Sequence, residues 1–167
     1  MSRRPSTRGL ALSLHRGSRR NLRGLFELAE ESAVVIDELI DQGRVIVATL
    51  DDEIVGCLQL LDPDTSGEIE LSILAVAQEH QGRGIGTALI ERAVEITRSE
   101  GLRTVRVGTS SADIDNLRFY QRRGFRLLSI ERDAFTPIDG YPEGAMTDGL
   151  PLRDRVWLTL GLEEGDR

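Results

Sequence analysis

The stretch Gln81-Gly82-Arg83-Gly84-Ile85-Gly86 is the most informative part of this sequence, because it joins a predicted strand to a predicted helix. The residues before it, 68–76, are rich in Ile, Leu and Val, and 87–100 have the apolar spacing of a helix. Three glycines let the turn curl with its N–H groups inward and leave room for a ligand. The helix adds unpaired amides and the positive end of its dipole. We therefore expect the turn to bind an anion, first of all a phosphate.

The spacing of the glycines separates the known kinds of phosphate-binding turn. A dinucleotide-binding turn needs G-x-G-x-x-G, and a P-loop needs G-x-x-x-x-G-K-[ST]. Here the third glycine comes one position too early for the first template, and no lysine follows for the second. The run instead has the form Q-x-x-G-x-G. In that form it resembles the pyrophosphate loop of the GCN5-related N-acetyltransferases (GNAT), which bind acetyl-coenzyme A. The preceding Leu74-Ala75-Val76 and the amphipathic helix after the turn match the same family.

The order of the predicted elements extends this resemblance over most of the chain. Helices are predicted over 19–31, 33–42, 87–100 and 115–123, and strands over 10–16, 44–50, 54–61, 68–76, 104–108, 125–130 and 155–160. The pattern predicts an α/β domain with a mixed sheet. The resemblance implies the GNAT fold, in which a mostly antiparallel central sheet is flanked by helices on both faces. We expect a single N-acetyltransferase domain over 1–167, of which 1–9 form a flexible, Arg-rich tail.

The composition limits the classes of function. Of the 167 residues 40% are apolar and 29% charged, as in an ordinary soluble globular domain, and no apolar run reaches the ~20 residues of a membrane span. A signal-peptide core is also missing, so we expect a cytoplasmic protein without membrane contact. A single cysteine, Cys57, and two histidines argue against a metal site. Cys57 lies in an apolar strand pattern and is expected to be buried.

The charge is unevenly distributed along the chain. Residues 1–26 contain seven arginines and no acid, whereas the net charge of the whole chain is −7. One alternative function is therefore nucleic-acid binding by the Arg-rich N-terminus. It is the weaker interpretation, because aromatic residues are not interleaved and the chain is acidic as a whole. A second alternative is a catalytically silent protein that binds acyl-coenzyme A as a sensor or subunit. A homodimer also stays open.

Two acids on the strand before the turn are candidate catalytic residues. Strand alternation predicts that Glu68 and Glu70 lie on one face and that the apolar residues lie on the other, namely Ile69, Leu71 and Ile73. The pattern by itself also fits a solvated face. In the GNAT family an acid on this strand acts as a general base or anchors the amine, which favours Glu70 over Glu68. A carboxylate with a pKa of about 4.3 is a weak base for an ammonium of about 10, so we expect action through water or by attraction.

A second motif supplies a candidate acid. The segment 116–125 resembles the part of the GNAT family in which a helix brings a tyrosine near the coenzyme sulfur, ahead of a Gly-Phe turn. Here Tyr120 precedes Gly124-Phe125. The resemblance implies that Tyr120 protonates the leaving thiolate, and a phenol with a pKa near 10 holds that proton at neutral pH. The helical pattern alone also fits an ordinary core tyrosine.

The resemblance further implies a set of coenzyme contacts. Backbone amides of Leu74, Ala75 and Val76 bind the pantetheine arm, and one of them hydrogen-bonds the thioester oxygen. The amides of 81–86 hold the pyrophosphate, while Arg83 and Thr87 add side-chain contacts. Many relatives hold the arm with an asparagine, and three residues of this chain could replace it: Ser111, Asp113 and Asn116. We favour Ser111, whose hydroxyl can donate and accept.

The irregular segment 133–154 is the candidate for choosing the acceptor. It contains five acids among prolines and glycines, and it is either a solvated loop or a cover that selects a positively charged amine. Its Tyr141-Pro142-Glu143 and Leu152-Arg153-Asp154 resemble an uncharacterised bacterial subgroup of the family. The expected partner is a small-molecule or peptide amine, whose identity the sequence leaves open.

Overall fold

The computed structural model describes residues 9–63 and 67–162 of the chain. The predicted Arg-rich tail, apart from Gly9, lies outside the described residues, as does the middle of the predicted loop 62–67. Within these residues the chain forms four α-helices: α1 (Arg23–Ala29), α2 (Ala33–Leu39), α3 (Ile85–Ser99) and α4 (Ile114–Arg122). It also forms nine strands: β1 (Ala11–Leu14), β2 (Arg44–Leu50), β3 (Glu53–Leu61), β4 (Glu68–Val76), β5 (Thr104–Ser110), β6 (Arg126–Glu131), β7 (Met146–Thr147), β8 (Leu150–Pro151) and β9 (Arg155–Gly161).

Seven strands form one sheet in the order β1-β2-β3-β4-β5-β9-β6, and β7 pairs with β8 in a separate hairpin. Only the β4–β5 pair is parallel, which confirms the predicted mixed, mostly antiparallel sheet. One face carries a core cluster that includes Phe26 of α1 and Ile36 of α2. The other face carries a larger cluster with Leu89 of α3 and Tyr120 of α4. Helices therefore flank the sheet on both sides, as predicted.

Local sequence signals explain most of the element boundaries. Ser32 caps α2 as predicted, since its Oγ accepts a hydrogen bond from the amide of Val35 at 3.2 Å. The predicted helix 19–31 is shorter in the structure: a 3-10 turn over Arg19–Leu22 precedes α1, which ends at Ala29. The helix stops there because Glu30 has an extended backbone, and its carboxylate accepts from the amide of Ser32 at 2.8 Å.

Strand β4 contains the irregularity that opens the site. Leu74 pairs with Leu58 of β3, but Leu71 pairs with Leu60, so β4 accommodates one more residue than β3 between these pairs. This is a β-bulge over 72–73. The parallel pairing of β4 with β5 ends at Leu71, whereas β5 continues to Ser110. The two strands therefore separate beyond Leu71, in the direction of the glycine turn.

The bulge overturns one prediction about the faces of β4. Ile69 and Leu71 lie in the cluster under α3, but Ile73 lies with Ala75 in the cluster under α1 and α2. The prediction that Ile69, Leu71 and Ile73 share one face is therefore wrong for Ile73. One extra residue in a strand reverses the side on which every later side chain lies.

The turn between α2 and β2 requires a glycine at position 43. Its φ is +56°, and a Cβ there would lie 2.0 Å from the carbonyl oxygen of Leu60. We expect Gly43→Ala to lower the free energy of unfolding by more than about 1 kcal/mol, measured by urea denaturation. Gly24→Ala is the control, because a Cβ in α1 meets nothing within 4 Å. It should be neutral or stabilise by up to about 1 kcal/mol. Equal losses in both variants would contradict the steric argument.

Candidate active site

A cavity of about 590 Å³, the first cavity, opens where β4 separates from β5. Its walls come from the ends of α1 and β4, the glycine turn, the start of α3 and one side of α4. Its lining residues include Leu74, Ala75, Val76, Gln81, Gly82, Gly84, Ile85, Gly86, Thr87, Asn116 and Arg123. Of these, all but Arg123 were predicted to contact the coenzyme, so the fold brings most of the predicted set together. The rest of the lining comes from Asp113 and from four residues that were not predicted, namely Leu28, Ala29, His80 and Phe119. Arg83 is exposed and lies outside this lining.

The glycine turn presents backbone amides to the first cavity. Gly82 and Gly84 have φ values of +74° and +83°, and a Cβ at either would meet no atom within 4 Å, so both face open space. Helix α3 begins at Ile85, two residues earlier than predicted. The amides of Ile85, Gly86 and Thr87 therefore belong to its first turn, where a helix supplies no acceptors. Their orientation and the positive end of the helix dipole suit an anion such as a pyrophosphate.

Gln81 of the turn and Thr87 of α3 each have a partner within the protein. Gln81 Nε2 donates to the carbonyl of Val76 at 3.0 Å, so the glutamine braces the turn against the end of β4. Thr87 Oγ1 accepts from the guanidinium of Arg123, with Nε at 3.0 Å. The glycines of the turn thus expose its amides, and Gln81 and Thr87 hold the loop and the helix in place.

Arg123 is a lining residue that sequence reasoning missed. Its guanidinium lies 3.6 Å above the ring of Phe119 and donates to the Phe119 carbonyl at 2.8 Å. Burial lowers the pKa of Arg123 below its ordinary value, and the neighbouring Arg122 adds to this. The residue stays a cation at neutral pH, beside the amides of α3. The one signal for Arg123 in the sequence is its position directly before Gly124-Phe125. That motif led only to the prediction for Tyr120.

The end of β4 offers backbone groups to the same cavity. The amide of Ala77 donates to Val55 of β3 at 2.8 Å. In an antiparallel pair the backbone groups of alternate residues point toward the partner strand, so Ala75 also faces β3. Leu74 and Val76 therefore direct their backbone groups away from β3, toward the gap left by β5. Of the three predicted backbone contacts, these two are placed to reach a ligand.

A second cavity, of about 340 Å³, adjoins the first. The two share four lining residues: Ala29, Leu74, Asp113 and Asn116. The second cavity is also lined by the bulge of β4, by β5 and β9, and by residues of the irregular segment. Its lining residues include four carboxylates, from Glu30, Glu31, Glu70 and Asp113, and one cation, Arg155.

Tyr120 lines the second cavity and lies one helical turn after Asn116, which lines both cavities. It is 5% exposed, and its ring packs edge-on against Phe119 and Phe125 at centroid distances of 5.3 and 5.4 Å. Burial raises the pKa of the Tyr120 phenol above its ordinary value, and the charge of Asp113 raises it further. The phenol is therefore protonated throughout the neutral range. The residue is both a core tyrosine and a wall of the cavity.

The two candidate acids of β4 are separated by the fold. Both lie where β4 and β5 are still paired, but Glu70 lines the second cavity and Glu68 lines neither cavity. Glu70 Oε2 accepts from Arg106 Nη2 at 2.8 Å and from Nε at 3.2 Å. Arg106 also stacks over the ring of Trp157 at 4.8 Å. The carboxylate is thus fixed by an ion pair that the sequence did not indicate.

The structure places differently the three candidates for the residue that replaces the family's arm-binding asparagine. Ser111 lines neither cavity, although its amide donates to the carbonyl of Asp154 at 2.8 Å. Asp113 and Asn116 line both. Asp113 caps α4 by accepting from the amide of Asn116 at 3.0 Å, and Asn116 Nδ2 donates to its other oxygen at 2.8 Å. The preference for Ser111 finds no support in this geometry, because Asp113 and Asn116 line both cavities and Ser111 lines neither.

The irregular segment 133–154, which we call the strap, covers the second cavity. Its Phe135, Tyr141, Thr147 and Leu152 line that cavity, and none of its five acids does. Tyr141 Oη donates to Glu30 Oε1 at 2.6 Å, which joins the strap to the end of α1. Burial raises the pKa of Tyr141, and the bond to Glu30 raises it further. Of the two alternatives that the sequence left open, this geometry favours the cover over the solvated loop, but the acids that line the cavity come from other elements.

Two arginines of the N-terminal cluster and the thiol of Cys57 have structural roles. Arg19 donates to the carbonyl of Gly43 at 2.9 Å, and Arg23 pairs with Asp37 at 2.6 Å. These arginines of the N-terminal cluster thus serve the fold rather than an exposed basic arm. Cys57 is fully buried, as expected, and burial raises its pKa to about 12. Its thiol is therefore an unsuitable nucleophile.

The described residues contain neither a membrane-spanning helix nor a metal-binding cluster. Among the helices of the described residues, none is long and apolar enough to cross a bilayer. Within the same residues no group of three or more His, Cys, Asp or Glu side chains is arranged to hold a metal ion.

Comparison with known proteins identifies the family. The profile of the acetyltransferase (GNAT) family matches residues 14–125. The uncharacterized N-acetyltransferase YvbK of Bacillus subtilis is 32% identical over 155 residues, which cover 92% of this chain and 97% of that protein. A GNAT family acetyltransferase from Elizabethkingia anophelis with acetyl-CoA bound has a TM-score of 0.83 at 28% identity, covering 92% of this chain and 99% of that one. A Bacillus subtilis acetyltransferase in complex with CoA has a TM-score of 0.81 at 31% identity, with the same coverage. The chain therefore belongs to the GNAT family, as an acyltransferase that takes its acetyl group from acetyl-coenzyme A.

Proposed function

We propose that this protein transfers the acetyl group of acetyl-coenzyme A directly to the primary amine of a cationic acceptor. The observation that carries the proposal is the junction of two cavities of opposite character at Leu74, Asp113 and Asn116. One cavity offers amides and a guanidinium, which suit a pyrophosphate. The other offers mainly carboxylates, which suit an ammonium. The acetyl group would lie at the junction, within reach of both.

The first cavity supports the donor half of the proposal. The amides of the first turn of α3 would bind the pyrophosphate, with Arg123 as a cation beside them. The backbone groups of Leu74 and the amide of Val76 would pair with the pantetheine arm as a missing strand would, while the Val76 carbonyl accepts from Gln81. The side-chain amide of Asn116, on α4, would contact the same arm. The supporting observation is that a Cβ on Gly82 or Gly84 would point into open space, so the cradle is empty of protein atoms.

The second cavity supports the acceptor half. Glu30, Glu31 and Glu70 surround a space that also has aromatic walls from Tyr141 and Trp157. Carboxylates attract an ammonium, and aromatic faces bind cations and alkyl chains. Arg106 holds one oxygen of Glu70, so we assign Glu70 to orienting the amine rather than to taking its proton directly. The acceptor class is therefore a cationic amine of small size.

The reaction needs no nucleophile from the protein. The ammonium of the acceptor first loses a proton to water. The neutral amine nitrogen then attacks the thioester carbon, the carbon–sulfur bond breaks, and an amide bond to the acetyl group forms. Tyr120 gives its hydroxyl proton to the departing thiolate, and the proton that the amine loses passes through water to restore the phenol. A backbone amide at the open end of β4 would stabilise the developing charge on the carbonyl oxygen.

The proposal as a whole predicts thiol release from acetyl-coenzyme A with cationic amines. Diamines should be better acceptors than the same amines carrying a carboxylate, because the second cavity is anionic. Glu70→Gln should lower kcat/KM for the amine at least about tenfold, the size of one charge-assisted hydrogen bond. Glu68→Gln, on the same strand but outside both cavities, is the matched control and should match the parent. Coenzyme binding without thiol release across the panel would instead support the catalytically silent alternative.

Binding of the coenzyme is predicted to depend on Arg123. Arg123→Gln should raise the Kd of coenzyme A about tenfold in calorimetry at low salt, because one guanidinium–phosphate contact is lost. Arg122→Gln is the control, since Arg122 is exposed at the end of α4 and lines neither cavity. A salt dependence that is weaker in Arg123→Gln than in the parent would support a direct phosphate contact. Equal affinities for all three proteins would exclude it.

Tyr120 is predicted to act on the chemical step. Tyr120→Phe should lower kcat by roughly 10²-fold with little change in the KM for acetyl-coenzyme A. Burial raises the pKa of the phenol, so its proton-donating form persists to a higher pH than in water. The parent should therefore keep its kcat up to at least pH ~10, the ordinary phenol value. Tyr141→Phe is the control, because that change should act on the acceptor KM through Glu30. A full kcat in Tyr120→Phe would remove the residue from the mechanism.

A further inference from the structure

The strand β6 lies at one edge of the large sheet, beside β9. All six of its residues are exposed, and three of them are large and apolar: Leu127 is 60% exposed, Leu128 62% and Ile130 66%. An edge strand also presents unpaired backbone N–H and C=O groups, which can pair with another chain. The opposite edge strand, β1, presents one exposed large apolar residue, Leu14. The two edges of this sheet therefore differ strongly.

The pairing with β9 gathers apolar side chains of β6 on one face. Leu127 pairs with Leu158, Ile130 pairs with Val156, and the register shifts between these two pairs. Both β9 residues are buried in the cluster under α3 and α4. Because paired residues lie on the same side of a sheet, Leu127 and Ile130 both continue this core outward.

The charged residues of β6 are complementary to those of a second copy when the two strands run antiparallel. The strand begins with Arg126 and ends with Glu131. If two copies of β6 pair antiparallel about a two-fold axis, Arg126 of each lies opposite Glu131 of the other, and Leu127 lies opposite Ile130. A parallel arrangement would instead place like charges together. No ion pair of the described residues involves Arg126, and the Glu131 side chain is 47% exposed.

We propose that β6 is the interface through which two copies of this chain form a symmetric dimer. The interface would pair the β6 strands antiparallel, cover Leu127, Leu128 and Ile130, and join Arg126 to Glu131 at both ends. It also reaches the second cavity. Glu131 Oε2 accepts from Arg155 at 3.1 Å and from Trp157 Nε1 at 2.9 Å, and both residues line that cavity. Each copy would thus steady one wall of the other's second cavity.

Charge reversal tests the orientation directly. In sedimentation velocity the parent protein should be a dimer. Arg126→Glu and Glu131→Arg should each weaken the dimer at least about tenfold, because each places like charges opposite one another twice. An equimolar mixture of the two variants should recover the dimer, since every contact is then between opposite charges. A mass tag on one variant identifies the mixed dimer.

The apolar part of the interface has its own test. Leu128→Asp should yield monomers, whereas Ile138→Asp should leave the dimer intact, because Ile138 is 91% exposed but lies outside β6. Thermal melting monitored by circular dichroism verifies that each variant is folded. A monomeric parent at all concentrations, or dimers that survive both Leu128→Asp and Arg126→Glu, would overturn the proposal. A mixture of folded charge variants that stays monomeric would overturn the antiparallel arrangement.

Discussion

The site depends on one extra residue in β4. Opposite it, Gln59 of β3 is fully buried, and its Nε2 donates to the carbonyls of Leu39 and Gln42 at 2.6 and 2.9 Å. These bonds fix β3 against the end of α2, so the additional residue is accommodated on β4 as a bulge. Two consequences follow from that bulge. The strand turns its later side chains to the opposite face, and it leaves β5 beyond Leu71. Without this separation the sheet would be continuous where the two cavities meet.

The separated strands bring together two environments that oppose each other electrostatically. On one side the start of α3 and Arg123 provide positive potential, and on the other Glu30, Glu31 and Glu70 provide negative potential. Fixed groups of this kind need no reorganisation when a charged ligand arrives. The ion pair with Arg106 restrains the carboxylate of Glu70, and the hydrogen bond from Tyr141 restrains that of Glu30. The protein thus positions its carboxylates through partners on distant parts of the chain.

The local predictions held where one short segment carried the signal. The bounds of β4, the cap at Ser32 and the turn glycines were predicted, because propensity, capping and positive φ are properties of a few neighbouring residues. The residues of β4 carry no signal of the bulge, because their apolar alternation runs on unbroken through it. The partners of Glu70 and Glu30 escaped prediction, since they lie 36 and 111 positions away in the sequence.

The sequence by itself determined the family, the donor and the architecture, because a glycine turn between a strand and a helix has few uses and the element order is a sum of local patterns. The tertiary structure decided which residues form the site. It excluded Glu68 and Arg83 from the cavities, placed Asp113 and Asn116 there in preference to Ser111, and added Arg123. The physical reason is that a side chain's position in a cavity depends on strand register and on long-range partners, and neither is written in the spacing of nearby residues.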